Sequence, residues 1–314
     1  MGIVVCGEAL VDLVPAAGGE GYVARPGGSP ANVAVALGRL DVPVSLLARL
    51  STDHFGQLIR RHLAKSHVDL SLAMETADRS TVAMVSLGAD GDAGYTFFIE
   101  GGADDGWRAD ALPAVPADAV ALHVSGALAL ALPAMGDAVE SLLLRERGRR
   151  VITFDPNPRP ALTPDLPALR ERLERWVRWA DIVKVSDEDL AWTYPGQSVP
   201  EVAAPWLTNS GAPDGPALIV VTRGGDGVYA RGPGGERDLP AQPVDLVDTV
   251  GAGDAFMGGL LASLYRAGRL SRPELRSLGL AELDESLRYA QRVAAATCGR
   301  TGADPPWRHE LEPA

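Results

Sequence analysis

The sequence is poor in lysine, cysteine and positive charge, and it has no long apolar run. The only lysines in its 314 residues are Lys65 and Lys184. Neither follows a glycine, so a Walker A phosphate loop, which needs Gly-Lys, is excluded. The His-Arg-Asp signature of protein kinases is absent as well. The two cysteines, Cys6 and Cys298, match no metal spacing and offer no disulfide framework, which points to a reducing compartment. Cys6 lies in the apolar run Ile3–Cys6 and reads as a small buried hydrophobe. Twenty-nine Lys and Arg stand against 41 Asp and Glu, a formal net charge of -12. Such a chain repels nucleic acid and anionic membranes as a whole. An anionic substrate would need a local positive field from helix ends and a few arginines. No apolar run reaches the roughly 18 residues of a membrane span. The amino terminus passes straight to Glu8 and Asp12 with no basic region and no long hydrophobic core, so no signal peptide is expected and a cytoplasmic location is.

What is present is a regular alternation. Hydrophobic residues make up 46% of the chain, enough for a sizeable core. Strand-length apolar runs fall at Ile3–Cys6, Val44–Ala48, Ala119–Val124, Val151–Phe154, Ile182–Val185 and Ala217–Val221. Helical patterns fall at Ala31–Leu40, Phe55–Ser66, Leu132–Arg147, Leu166–Ala180, Ala255–Ala267 and Leu283–Thr297, with Gly268 as a C-cap. This predicts βαβ units and an α/β fold with a mainly parallel sheet covered on both faces. Two stretches, Asp12–Arg25 and Ser80–Glu100, are β-prone and glycine-punctuated, and no helix separates their strand-like pieces. Thr81–Leu87 and Tyr95–Ile99, joined through Gly88–Asp92, read as a hairpin, and the pair of stretches as a lid over a site. An edge hairpin that merely protects the sheet is the alternative. The Pro/Gly-rich pieces Pro195–Pro205 and Gly232–Gly235 read as surface loops.

The chemistry concentrates in Asp248-Thr249-Val250-Gly251-Ala252-Gly253-Asp254, followed at once by an apolar helix. Free N–H groups and the dipole of a helix start make an anion site. A carboxylate there repels a phosphate, so Asp254 needs a purpose. It can accept a hydroxyl proton while the N–H groups of Gly251, Ala252 and Gly253 stabilise a transferring phosphoryl group. An aspartate N-cap behind a glycine turn is the plainer use of such a segment. Gly225-Asp226-Gly227 fits a loose dinucleotide fingerprint, but Val228–Arg231 after it reads as strand, not helix.

Asp248–Asp254 resembles the carboxy-terminal signature of the ribokinase-like (PfkB) carbohydrate kinases. Gly27-Gly28-Ser29-Pro30-Ala31-Asn32-Val33-Ala34, continued through Leu50–Gly56, resembles their amino-terminal signature. Phe154-Asp155-Pro156-Asn157-Pro158-Arg159 resembles a segment of fructokinases and their relatives. The resemblance implies a three-layer α/β sandwich with a small β-sheet lid, residues 12–25 and 80–103 forming the lid and 1–11, 26–79 and 104–314 the core. It implies Asp254 as catalytic base beside the Gly251–Gly253 anion hole, and a sugar held by Asp12, Gly27, Gly28, Asn32, Phe98 and Arg159. Carboxylate and carboxamide groups suit paired hydroxyls. It implies ATP and Mg2+ as cofactors. Lys184, Ser186, Thr222, Gly225, Gly227, Gly253 and Gln291 would meet the nucleotide. Ser186 and Asp189 stand where the family has Asn and Glu, so Asp189 would reach magnesium through water. Family members often bind a monovalent cation such as K+, with Asp248 as one ligand, and often form dimers, here a homodimer through the lid.

Among family activities the fit is best to bacterial fructokinases, through Gly7–Asp12, Phe98–Asp104 and Phe154–Arg159. Relatives acting on 2-keto-3-deoxygluconate carry a lid arginine where Ile99 falls, and Ile99 cannot pair with a carboxylate. 2-Keto-3-deoxygluconate kinase or ribokinase activity, or a non-catalytic sugar or nucleotide sensor of the same fold, are the alternatives.

Overall fold

A computed structural model of the chain describes residues 2–16, 20–87, 93–163, 165–208 and 215–311. Its centre is a nine-stranded sheet in the order Gly235–Leu239, Val228–Gly232, Leu218–Thr222, Ile182–Ser186, Val151–Asp155, Ala121–Ser125, Ile3–Cys6, Val44–Leu47, Val68–Asp69. All neighbours run parallel except the first two pairs, which are antiparallel. The central strands Ile3–Cys6, Ala121–Ser125 and Val151–Asp155 are buried at every residue. That is why they read as continuous apolar runs rather than alternating ones.

Helices cover both faces and enclose two apolar cores. On one face lie Ser29–Arg39, His54–Lys65, Ala252–Arg266 and Leu280–Cys298. On the other lie Pro133–Glu146, Leu166–Trp179 and Val199–Thr208. Gly268, at φ 68°, follows the end of Ala252–Arg266 as its sequence position suggested. No helix among the described residues is long and apolar enough to cross a membrane.

A separate four-stranded sheet has the order Tyr22–Gly27, Leu10–Pro15, Val82–Leu87, Ala93–Phe98. Its two outer pairings are antiparallel and its central one is parallel. Both β-prone stretches thus enter one sheet; the joining residues 88–92 lie outside the described residues.

One sequence expectation is corrected and one feature is new. Pro195–Pro205 is not simply a loop, because a helix, Val199–Thr208, starts within it and contains Pro205. Burial of Val202, Ala203 and Trp206 against the second core, with Trp206 Nε1 donating to Glu174 at 3.0 Å, outweighs the poor helical propensity of proline. A small parallel pair, Arg49–Ser51 with Met74–Thr76, was not anticipated. Three-residue strands carry too little periodicity to be seen.

Candidate active site

Parallel strands bring their carboxyl ends to one edge, and ligands of open α/β sheets bind there. Ser125, Asp155, Ser186 and Thr222 are the last residues of their strands. The amino-terminal ends of helices Ser29–Arg39 and Ala252–Arg266 meet at the same edge. Each is preceded by a glycine with positive φ: Gly28 at 99° and Gly251 at 75°. At Gly251 the requirement is double, since a Cβ there would lie 2.5 Å from the Cβ of Ala303. Only glycine starts this helix without strain.

Asp254 sits in the first turn of that helix and is 7% exposed. It is not an N-cap; its carboxylate turns toward the other helix. Its Oδ1 accepts from Ser29 Oγ at 2.7 Å and its Oδ2 from Asn32 Nδ2 at 2.9 Å. Burial lifts its pKa above the usual carboxylate range, while Ser29, Asn32, Lys184 and Arg159 pull it back. Asn32 therefore touches the aspartate directly, and its carboxamide oxygen stays available.

The anion hole is narrower than the sequence suggests. The Ala252 N–H closes the turn onto Thr249 O at 3.2 Å, which takes it out of the set. The Gly253 and Asp254 N–H groups, by contrast, have no intrahelical acceptor, whereas that of Ala255 bonds Gly251 O at 2.8 Å. Lys184 adds a positive charge. Its Nζ lies 2.9 Å from where a Cβ on Gly253 would stand, so glycine there lets the ammonium reach the helix start. Lys184 is 4% exposed and pairs with buried Asp155 at 2.9 Å. Burial works to discharge the ammonium, but Asp155, together with Asp254 and Asp189, outweighs it and holds the pKa above normal. Burial raises Asp155 to about 6 despite that pairing.

Among the residues expected to meet a sugar, Asp12 pairs in register with Arg25. Burial, then the charge of Asp254, raises Asp12 to about 6, and Arg159 opposes the rise. A Cβ on Gly27 would fall 2.0 Å from Asp12 Oδ2, so the backbone at 27 lies against the carboxylate. Phe98 does not join them. Asp12 is in register with Ala83 and Ala83 with Phe97, which places Phe97 on the face of Asp12 and Phe98 on the opposite one. Phe97 stacks on Tyr95, with ring centroids 6.1 Å apart and planes at 20°. Phe98, expected from the sequence to meet the sugar, thus stands on the face away from Asp12, because neighbouring residues of a strand point to opposite faces.

Among the residues expected to meet a nucleotide, Ser186 Oγ is spent as an N-cap, accepting from Asp189 N at 3.0 Å. Thr222 is in register with Ser186, and Gly225 lies exposed in the turn after it. Gly227, at φ 96°, closes that turn. Gln291 is buried and donates Nε2 to Pro240 O at 2.8 Å, so in this structure it anchors a loop. Asp248 accepts backbone N–H groups from Val250 at 3.0 Å and Gly302 at 2.7 Å, stapling the glycine turn to the chain near Gly302.

Sequence reasoning did not single out Ser29, Ser125, Glu8, Asp104 or Asp155. Ser29 Oγ lies 2.7 Å from Ser125 Oγ. Glu8 is 4% exposed, and its carboxylate is so close to Gly126 that a Cβ there would meet Oε2 at 2.0 Å. Burial, then the nearby charge of Asp104, raises Glu8 to about 8, and burial raises Asp104 to about 7. The available signal was an acid at the end of an apolar run, as at Glu8 and Asp155.

The chain is similar over most of its length to several fructokinases. A fructokinase from Rhizobium leguminosarum bv. trifolii is 38% identical over 279 residues, spanning 88% of this chain and 83% of its own length. Among solved structures, the fructokinase of Xylella fastidiosa with bound ATP matches with a TM-score of 0.86 at 26% identity, covering 98% of this chain and 97% of that one. A double mutant of the Vibrio cholerae O395 fructokinase, bound to fructose, ADP and potassium ion, matches with a TM-score of 0.81 at 28% identity, covering 96% and 93%. The pfkB family carbohydrate kinase model matches residues 2–310, so the chain belongs to that family and is a sugar kinase.

Proposed function

We propose that the chain transfers the γ-phosphoryl group of ATP to a primary hydroxyl of fructose, with Asp254 as general base. The observation that carries this reading is the buried Asp254 carboxylate, set between a helix start and the group Asp12, Asn32 and Arg159. Asp12, Asn32 and the backbone at Gly27 and Gly28 hold the sugar hydroxyls, with Arg159 beside them. Asp254 accepts the proton of the attacking hydroxyl as its oxygen bonds the γ-phosphorus. The bond from that phosphorus to the β–γ bridging oxygen breaks, and ADP leaves. The N–H groups of the helix start, that of Gly253 among them, and the Lys184 ammonium stabilise charge on the transferring group.

Ser186, Thr222, Gly225 and Gly227 line the path of the nucleotide at the sheet edge. The donors suit a hydrated magnesium ion: Asp189 is half-buried near the site, and Asp155 Oδ1 is buried with no partner among the described residues. When bound, magnesium supplies charge neutralisation on the phosphates, and Asp189 would hold it through water. Asp248 keeps lone pairs free for a monovalent cation such as K+. The lid strands Tyr22–Gly27 and Ala93–Phe98 are the outer strands of their sheet and expose Tyr22, Val23 and Phe98, which suits pairing of two lids in a homodimer. The free cysteines Cys6 and Cys298 suit the reducing cytoplasm.

Fructose is favoured because Ile99, where a lid arginine would meet an acid sugar, packs half-buried against the core. Arg159, whose charge reaches Asp12 and Asp254, could meet a carboxylate and keeps 2-keto-3-deoxygluconate as the competitor. A coupled ADP-release assay over fructose, ribose, 2-keto-3-deoxygluconate, adenosine and fructose 6-phosphate tests the proposal. Fructose should give the highest kcat/KM. A higher value for another sugar would reassign the substrate, and no sugar-dependent ADP release would refute the reading.

A further inference from the structure

Asp254 accepts from one hydroxyl, and that hydroxyl meets a second; the phosphoryl-transfer reading gives neither a task. Ser29 Oγ donates to Asp254 Oδ1 at 2.7 Å, and Ser29 Oγ and Ser125 Oγ are themselves 2.7 Å apart. A hydroxyl carries a single proton. The proton of Ser29 is committed to the carboxylate, so Ser125 must be the donor in the second bond. The chain therefore has a direction, from Ser125 to Ser29 to Asp254. Ser29 is 8% exposed and Ser125 0%, which leaves water little room to replace either link.

The three residues come from three elements: the end of strand Ala121–Ser125, the first residue of helix Ser29–Arg39, and the first turn of helix Ala252–Arg266. Their separations along the chain are 96 and 225 residues. Close backbone contacts fix Ser125 in place. A Cβ on Gly7 would lie 2.6 Å from Ser125 O, and Gly126 abuts the Glu8 carboxylate. Donors in series polarise one another in a site of low dielectric.

We propose that Ser125 and Ser29 form a directed positioning relay that orients Asp254 toward the sugar hydroxyl and tunes its basicity. The proposal rests on the reading of Asp254 as general base. Neither serine need touch the substrate. The charged groups that also act on Asp254 are Lys184 and Arg159, which favour its ionised form, and Asp12, Asp155 and Glu8, whose charges interact with it unfavourably. Replacing either serine leaves all five in place. The hydrogen bond from Ser29 lowers the Asp254 pKa, so its loss should raise it.

The test is a double-mutant cycle with Ser29→Ala, Ser125→Ala and the pair, read by kcat, sugar KM and the pH profile of kcat. Ser29→Ala should lower kcat roughly tenfold to a hundredfold, a part of the roughly 10²–10⁴ that proton transfer contributes. Sugar KM should stay within about twofold, and the acidic limb of the profile should move to higher pH. Ser125→Ala should shift both quantities in the same direction by less. The pair should behave like Ser29→Ala alone, because Ser125 reaches Asp254 only through Ser29. Independent, additive losses, or an acidic limb that does not move in Ser29→Ala, would overturn the relay. Calorimetric sugar binding checks the fold of each variant; if Ser125→Ala does not fold, the kcat and pH profile of Ser29→Ala decide alone. The two readings fail separately: an active Asp254→Asn would remove the base, whereas an inactive Asp254→Asn beside an unaltered Ser29→Ala would remove only the relay.

Discussion

Asp254 combines features that are each unfavourable alone. It is a carboxylate at an anion-binding helix start, it is buried, and it is offset by two side-chain donors and the nearby Lys184 and Arg159 charges. Asp254→Asn keeps the shape but removes the proton acceptor. Turnover should fall roughly 10²–10⁴-fold, while fructose affinity by calorimetry changes only slightly. Near-normal kcat would show that the base lies elsewhere. The glycine turn made this aspartate legible from the sequence, because local backbone need and chemistry coincide there. Ser29 and Ser125 were not legible, since a serine at a helix start or strand end has many ordinary uses. Only spatial adjacency selects the one that reaches a carboxylate.

At the scale of elements, the lid shows how far pattern reading extends. Strand propensity and glycine punctuation located its two stretches, but the face each residue presents depends on register, and a slip of one residue inverts it. Asp12, Ala83 and Phe97 align across three strands, leaving Phe98 half exposed on the far face. Phe97→Ala should raise the fructose KM roughly tenfold, equivalent to about 1.4 kcal/mol, with kcat little altered. Phe98→Ala should leave KM near the parent value. Steady-state kinetics on both variants checks the assignment, and the reverse ranking would mean that the lid presents its other face to the sugar.

Over the whole molecule, the buried acids make stability depend on pH. Glu8 is raised from 4.5 to about 8 and Asp104 from 3.8 to about 7. The native chain retains protons that the unfolded chain releases, so their contribution is complete below about pH 4 and is lost as pH rises through 7 and 8. Buried His123, lowered from 6.5 to about 3 by burial and Lys184, has the opposite slope, confined to the range below its ordinary value. Above about pH 6.5 the acids therefore dominate, and Tm should fall between about pH 6.5 and 8.5. Glu8→Gln, neutral throughout, should flatten that fall, as measured by calorimetric melting at several pH values. An equally steep fall in the variant would show that Glu8 is ionised in the native protein.

The order and type of most elements, and the glycine turn before Asp254, were determined by the sequence itself, because periodicity and backbone restriction act over neighbouring residues. The tertiary structure decided what no local rule reaches. It turned Gln291 toward Pro240, formed a helix around Pro205, and seated Lys184 on Asp155 beneath the helix start. It also placed Ser29 and Ser125 behind the aspartate. The physical reason is that each depends on contacts made only in the folded chain, where apolar burial stabilises the helix around Pro205 and the cost of an unmet buried polar group selects the partners of the others.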